Sequence, residues 1–198
     1  MTMKVATIGL RAKTGRAIAV VLTGSSDLPR VVKRLQFSVV DPAVPATFQP
    51  YHEVLDLPWE QAQKAARKFA KKIEQVATKA LRSLMKELQT EGFKVTGVGI
   101  VGAGERNLEK IGSTHIRAHA AEGVLFRQVL EVAAEANALT NRRFDERNLD
   151  HSVEQELKIP IVKLTTHLAA MGRVVGSPWR ADEKAAAVAA WIMLARGK

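Results

Sequence analysis

The sequence predicts an α/β fold built on a mixed sheet. Three observations predict it. Strand-like runs follow one another over residues 4–40, a long amphipathic segment starts at Pro58, and apolar runs then alternate with helical segments. The predicted order is β-β-β-α-β-α-β-α, an antiparallel meander followed by alternating units. We therefore expect a mixed five-stranded sheet with helices on both faces, folded as a single domain over residues 1–198.

The first three strands are predicted from apolar runs separated by turns. Residues 4–11 mix β-branched residues with Gly, and residues 17–22 form a continuous apolar run, as in a strand covered on both faces. Gly15 marks the hairpin turn between them. Residues 31–40 contain alternating apolar and polar side chains, which is typical of a half-buried strand. Four of the seven prolines fall within residues 41–58, which predicts an extended loop.

The clearest helix is predicted from about Glu60 to Thr90. Pro58 opens this helix, Glu60 in the first turn suits the helix dipole, and Gly92 ends it. At about 100° per residue, apolar side chains cluster on one side, and cations fall within an arc of about 140° on the other. Few acids interrupt these cations, so a binding surface and a solvated face are equally open interpretations. The cationic face comprises Lys64, Arg67, Lys68, Lys71, Lys72, Lys79, Arg82 and Lys86.

The second half of the chain alternates strands and helices. Residues 93–101 are predicted as the fourth strand and residues 115–139 as the second helix. Residues 141–145 are predicted as a short fifth strand, and the helical stretches predicted after it are broken at Pro160. Asp182 is predicted to cap an Ala-rich final helix.

Composition narrows the function classes. The net charge of +10 and the pI near 10.1 suit a nucleic acid or another polyanion as partner. The chain has no Cys, which excludes Cys nucleophiles and Cys-based zinc sites. The longest apolar run, residues 185–195, is shorter than the roughly 20 residues that cross a bilayer, and the N-terminus lacks a signal-peptide pattern. We therefore expect a cytoplasmic protein with no membrane partner.

Four stretches of the sequence carry a resemblance to a known family. Residues 8–21 (IGLRAKTGRAIAVV) are similar to an opening hairpin, and residues 98–107 (VGIVGAGERN) to the strand and loop after a first long helix. Residues 115–137 are similar to the next helix, and residues 177–191 (SPWRADEKAAAVAAW) to a closing motif. In this order they resemble the ribonuclease H-like superfamily, and within it the RuvC-type Holliday junction resolvases and their YqgF-like relatives. The resemblance spans essentially the whole chain and implies a ribonuclease H-like fold.

The resemblance also implies a nuclease that holds two Mg²⁺ ions with clustered carboxylates, and here the chain departs from the pattern. Three of the four ligand positions lack a carboxylate: they are Arg11, Val101 and Ala185. The fourth is Asp182, with Glu183 beside it as a substitute, so these two are the metal candidates. A guanidinium at the centre of the site would repel a divalent ion and attract a phosphate. We expect Mg²⁺ only if a rebuilt site is active, no other cofactor, and Arg11 within reach of Asp182.

A rebuilt site has its own candidates. His115, His119 and Glu122 lie at i, i+4 and i+7 on the second predicted helix, and His-x₃-His is an acceptable spacing for a transition metal. With Asp182 they are candidate catalytic residues for a metal or acid–base site. In the alternative interpretation, His115 caps the helix while His119 and Glu122 pair with neighbours.

Further cations and aromatic residues are candidates for nucleic-acid contacts. One group is predicted to surround the same crevice and to contact phosphates, with solvated hairpin charges as the alternative. This group comprises Arg11, Lys13, Arg16 and Arg117. Of the three tryptophans, Trp191 is predicted to be core, and Trp179 is the one considered for a ligand.

These observations favour a nucleic-acid-binding protein of RuvC/YqgF-like type that lacks the standard two-metal nuclease site and contacts DNA or RNA through phosphates. Two alternatives stay open. One is a phosphate-ester hydrolase or nuclease with a rebuilt site. The other is a non-catalytic protein-interaction module. The sequence does not decide whether the chain is an enzyme, or whether it is a monomer or a homodimer.

Overall fold

The computed structural model describes residues 2–197 and contains every predicted element in the predicted order. The strands are β1 (Lys4–Lys13), β2 (Arg16–Gly24), β3 (Pro29–Ser38), β4 (Phe93–Gly102) and β5 (Thr140–Asp145). The helices are α1 (Trp59–Thr90), α2 (Thr114–Ala136), α3 (Leu149–Leu157), α4 (Ile161–Val175) and α5 (Ala181–Arg196). The loop predicted over residues 41–58 differs from a purely extended segment, because two single-turn 3₁₀ helices form at Pro45–Thr47 and His52–Val54.

The five strands form one mixed sheet in the order β3-β2-β1-β4-β5. β1 is antiparallel to β2 and parallel to β4, and β5 is parallel to β4. This arrangement confirms the predicted mixed five-stranded α/β sheet. Because β1, β4 and β5 run in the same direction, their carboxyl ends meet at one side of the sheet, which we call the carboxyl edge. Arg11 is opposite Val101 there, and Gly102 is opposite Asp145.

Helices cover both faces of the sheet, as predicted. Ile8 and Leu10 of β1 pack into a core with α1 and α2, while α3, α4 and α5 build a second core on the opposite face. Gly9 explains how closely α5 approaches, because a Cβ there would lie 1.7 Å from the carbonyl oxygen of Ala186. Thr7 donates a hydrogen bond to the carbonyl oxygen of Ala190 in the same helix (2.7 Å). Since side chains alternate along a strand, Arg11 also lies on the α5 side.

The buried stripe of α1 is shifted around the helix from the one that the sequence pattern indicates. The stripe includes Ala70 and Leu81, whereas Phe69, Val76 and Ala80, which the pattern places on the apolar side, are only half-buried. α1 contacts α2 as well as the sheet. The cations remain on the side away from this stripe.

Among the helices of residues 2–197, none combines the length and apolar character that a bilayer crossing requires.

Candidate functional site

Arg11 stands at the carboxyl edge with two carboxylates around it. Its Nε donates to Asp182 Oδ1 (3.1 Å), and its Nη2 pairs with Glu146 Oε2 (2.5 Å). The side chain of Arg11 is only 7% exposed, so its charge depends on these partners. The expectation that Arg11 lies within reach of Asp182 is confirmed.

A second cation also pairs with the Asp182 carboxylate. Lys13 Nζ lies 3.2 Å from Asp182 Oδ2. Burial acts to raise the pKa of Asp182, but the hydrogen bond and charge of Lys13, together with those of Arg11, outweigh it. The pKa therefore lies below its usual value of 3.8. Asp182 is thus an ionised acceptor shared by two cations.

The start of α5 differs from the prediction that Asp182 caps the helix. Arg180 is the N-cap residue, and Asp182 is the second residue inside the helix. Glu183 reaches back so that its Oε2 accepts a hydrogen bond from the backbone N–H of Arg180 (2.8 Å). The capping role thus falls to Glu183. This leaves Asp182 free to turn towards Arg11.

These residues do not fit the Mg²⁺ pair that the family resemblance implies. A two-metal site needs several carboxylate oxygens facing one cavity. Here Arg11 and the fully buried Val101 occupy two of the ligand positions, and both oxygens of Asp182 contact cations. Glu183 is engaged at the helix start. The opening of about 120 Å³ beyond the ends of β4 and β5 mixes cations with carboxylates. It is lined by Glu105, Arg106, Asp145, Glu146 and Arg147.

The four cations predicted around one crevice are only partly brought together. Lys13 joins Arg11, but Arg16 is exposed on the hairpin. Arg117 lies elsewhere. Its Nε donates to the carbonyl oxygen of Ile111 (2.8 Å), and its guanidinium stacks over the ring of Trp59. The prediction fails for Arg117 because α2 packs on the sheet face opposite α5.

The two predicted histidines of α2 meet, and a third joins them. The Nε2 atoms of His115 and His119 are 3.1 Å apart. His52, from the 3₁₀ helix at His52–Val54, contributes a third ring, and one nitrogen from each ring lies within 4.8 Å of the others. Asp182 is not in this group, contrary to the rebuilt site predicted from sequence. The capping role proposed for His115 is also wrong, because Ser113 is the N-cap of α2.

Glu122 holds His52 in place. Its Oε1 accepts from His52 Nδ1 (2.8 Å) and from the backbone N–H groups of Tyr51 (3.2 Å) and His52 (3.3 Å). The Glu122 side chain is 2% exposed. It therefore orients a histidine from behind and does not face the solvent beside His115 and His119.

Most of the cationic face of α1 is unpaired. Lys72 pairs with Asp41 (3.1 Å), and Arg82 donates to the side chain of Asn137. Within residues 2–197 the other six make no ion pair, and all six are exposed. These six are Lys64, Arg67, Lys68, Lys71, Lys79 and Lys86.

All three tryptophans pack against neighbouring residues. Trp191 is fully buried and donates to the carbonyl oxygen of Ser26 (2.7 Å). Trp179 is half-buried. Its ring lies so close to Gly172 that a Cβ atom on Gly172 would be 2.4 Å from Cδ1 of the ring. Trp59 stacks on Tyr51 with 5.6 Å between the ring centroids. None of the three therefore offers a free face for a base.

Sequence reasoning missed two residues of these sites. His52 is an isolated histidine in a proline-rich loop, and no spacing connects it to α2. Glu146 could have been predicted from its position, since it follows directly after Asp145 at the end of β5. A carboxylate at the carboxyl end of a parallel strand is a standard site candidate.

No protein-family model matches the sequence, and a search of curated proteins finds no significant match. Among solved structures, the chain is similar to RuvC of Thermus thermophilus (10% identity, TM-score 0.47, covering 94% of this chain and 92% of that one). T. thermophilus RuvC in complex with Holliday junction substrate gives 10% identity and a TM-score of 0.49, covering 95% and 91%. The Aquifex aeolicus member of the Ppx/GppA family gives 13% identity and a TM-score of 0.36, covering 79% and 41%. These sequence identities and TM-scores assign no residue role and no activity of these proteins to the present chain.

Proposed function

We propose that the protein binds DNA or RNA through the cationic face of α1, and that it does so without the standard two-metal nuclease activity. The observation that carries this proposal is the row of six exposed, unpaired Lys and Arg side chains on one face of one helix. The four stretches that resemble RuvC-type and YqgF-like proteins support the nucleic-acid class. The cation pattern itself is independent of that resemblance.

The geometry of the face suits a phosphate backbone. From Lys64 to Lys86 the helix rises by about 33 Å, at 1.5 Å per residue. A duplex presents phosphates along this whole length, and each neutralised phosphate releases counterions. The three tryptophans are packed and offer no base stacking, so we expect affinity with little sequence preference.

The carboxyl edge supports binding without cutting. Arg11 fills the position where the resemblance implies a metal ligand, and Asp182 is shared between Arg11 and Lys13. Such a cluster is neutralised internally and presents no row of free carboxylate oxygens to a metal ion.

The test is the salt dependence of binding to a labelled DNA duplex, followed by fluorescence anisotropy. The variant Lys64→Gln/Lys68→Gln/Lys79→Gln removes three unpaired cations of the face and leaves Lys72, which bonds to Asp41. If all three contact phosphates, the slope of log affinity against log salt should flatten by about 2.7, at about 0.9 per contact. The fold should be unchanged because all three side chains are exposed.

The matched control removes the same charge from the opposite sheet face. Lys163→Gln/Arg173→Gln/Lys184→Gln replaces three exposed, unpaired cations of α4 and α5. It should keep nearly the wild-type slope. Equal slopes for both variants would mean that net charge, and not the α1 face, governs binding. If the wild type binds no duplex and no RNA at low salt, the proposal is wrong and a protein-interaction module is the better interpretation.

A further inference from the structure

His52, His115 and His119 are arranged as ligands around one point. Their ring centroids lie 4.4–5.0 Å apart in pairs, and the three rings are mutually inclined at 63–86°. The Nε2 atoms of His115 and His119 are 3.1 Å apart. Two nitrogens bound to a tetrahedral Zn²⁺ at 2.0–2.1 Å stand about 3.3 Å apart, so this pair is already near ligand spacing.

His52 is oriented as a metal ligand. Nδ1 faces the Glu122 carboxylate at 2.8 Å and donates its proton there, which leaves the lone pair on Nε2. Among the described residues, Nε2 of His52 is buried and has no hydrogen-bond partner. A buried polar atom without a partner costs free energy, and a metal ion would remove that cost. A carboxylate behind a ligating histidine is the usual arrangement at protein metal sites.

The donor set selects the class of metal. Three imidazole nitrogens suit Zn²⁺ and its neighbours in the first transition row, whereas Mg²⁺ and Ca²⁺ prefer oxygen. Among the described residues no fourth His, Asp or Glu joins the group. His115 and His119 are exposed. A bound ion would therefore keep one position open to solvent, as catalytic zinc sites do.

We propose that His52, His115 and His119 bind a divalent transition metal of the Zn²⁺ class, with Glu122 as the positioning residue for His52. The ion joins the proline-rich loop before α1 to the first turns of α2, and its open position accepts water or a phosphate oxygen. This site is separate from the carboxyl edge and does not depend on the nucleic-acid proposal. The three histidines lie beyond the carboxyl edge of the sheet. His115 and His119 precede Gly123 in α2, and Gly123 already packs beside Ala103, the residue that follows β4.

The experiment uses the full chain without a histidine tag. Co²⁺ is titrated into the protein and followed by its visible d–d absorption, and Zn²⁺ and Mg²⁺ are then added as competitors. The wild type should bind one equivalent of Co²⁺ in a low-coordinate nitrogen site. Zn²⁺ should displace it and Mg²⁺ should not.

Three variants locate the site. Glu122→Gln keeps an acceptor for the backbone N–H groups and should weaken Co²⁺ binding by roughly 10–100-fold. His119→Gln, at an exposed position, should weaken it further because a ligand is lost. His151→Gln changes an exposed histidine on α3 and should bind like the wild type. Thermal unfolding without metal checks that each variant is folded.

Two results would overturn the proposal. One is a wild type that binds no Co²⁺ or Zn²⁺. The other is a folded His119→Gln variant that binds as tightly as the wild type. In either case the three rings would be a hydrogen-bonded surface cluster only.

Discussion

Arg11 shows how one side chain changes the chemistry of a site. It occupies the position where the family resemblance implies a carboxylate, and it is nearly buried. A buried guanidinium needs anionic partners, and Asp182 and Glu146 supply them. Asp182, the second residue of α5, also pairs with Lys13. Arg11 therefore acts here as the centre of an ion cluster.

This arrangement predicts a pH-dependent loss of stability in Asp182→Asn. At pH 7 the variant should unfold with a free energy lower by about 1–2 kcal/mol, because charge-assisted hydrogen bonds to Arg11 and Lys13 are lost. The pKa of Asp182 is depressed in the folded state, so its contribution is fully present above the unfolded pKa near 3.8. That contribution is lost as pH falls through the lower folded pKa. Urea unfolding of both proteins from pH 7 to pH 3 measures the difference.

The control for that measurement is Asp56→Asn, an exposed carboxylate in the loop before α1. It should leave the free energy of unfolding nearly unchanged at every pH. A difference between Asp182→Asn and the wild type that grows as the pH falls would contradict the ion cluster.

At the scale of elements, the contact between α5 and the sheet depends on residues without side chains. Gly9 and Gly99 face the helix, and a Cβ at Gly99 would lie 2.7 Å from the carbonyl oxygen of Ala189. The Ala-rich sequence of α5 completes the contact from the other side. Only small residues on both surfaces permit this distance, and the distance brings Asp182 to the end of β1.

Gly9→Ala should therefore be severely destabilising. The new Cβ would lie 1.7 Å from the backbone oxygen of Ala186, and backbone cannot move aside as a flexible side chain can. We expect a loss of more than about 3 kcal/mol, beyond the usual range for overpacking, or no soluble protein. Thermal unfolding and soluble yield measure it.

Gly112→Ala is the matched control, since nothing lies within 4 Å of a Cβ there. It should change stability by no more than about 0.5 kcal/mol. A Gly9→Ala protein with the wild-type melting temperature would show that α5 does not pack as described.

The sequence predicts the secondary structure better than it predicts the sites. The strands and helices follow from local periodicity, and α1 is within one residue of its prediction because Pro58, Glu60 and Gly92 mark its ends. Sites depend on distant contacts. The His115–His119 spacing is local and visible in the sequence, whereas His52 reaches α2 only through the path of its loop. Likewise, the sequence places Arg117 beside Arg11, because it does not show which face of the sheet α2 covers.

At the scale of the whole molecule, the sheet separates three surfaces. The α1 face carries unpaired cations on one side of the sheet, and the Arg11 cluster lies at the carboxyl edge on the α5 side. The histidine group lies where α2 extends past that edge. Six of the 30 Lys and Arg side chains thus lie exposed on one helix face and unpaired within residues 2–197, while Asp182 and Glu146 at the edge are paired with Arg11 and Lys13. Nucleic-acid binding through the α1 face should therefore be independent of Mg²⁺.

The most direct test incubates a labelled four-way DNA junction with the protein at low salt, with Mg²⁺ and with a chelator in parallel. Native gels report binding and denaturing gels report cleavage. We expect a retarded complex in both conditions and full-length DNA recovered from each. Mg²⁺-stimulated cutting that disappears in Asp182→Asn, or no complex in either condition, would contradict binding without cleavage.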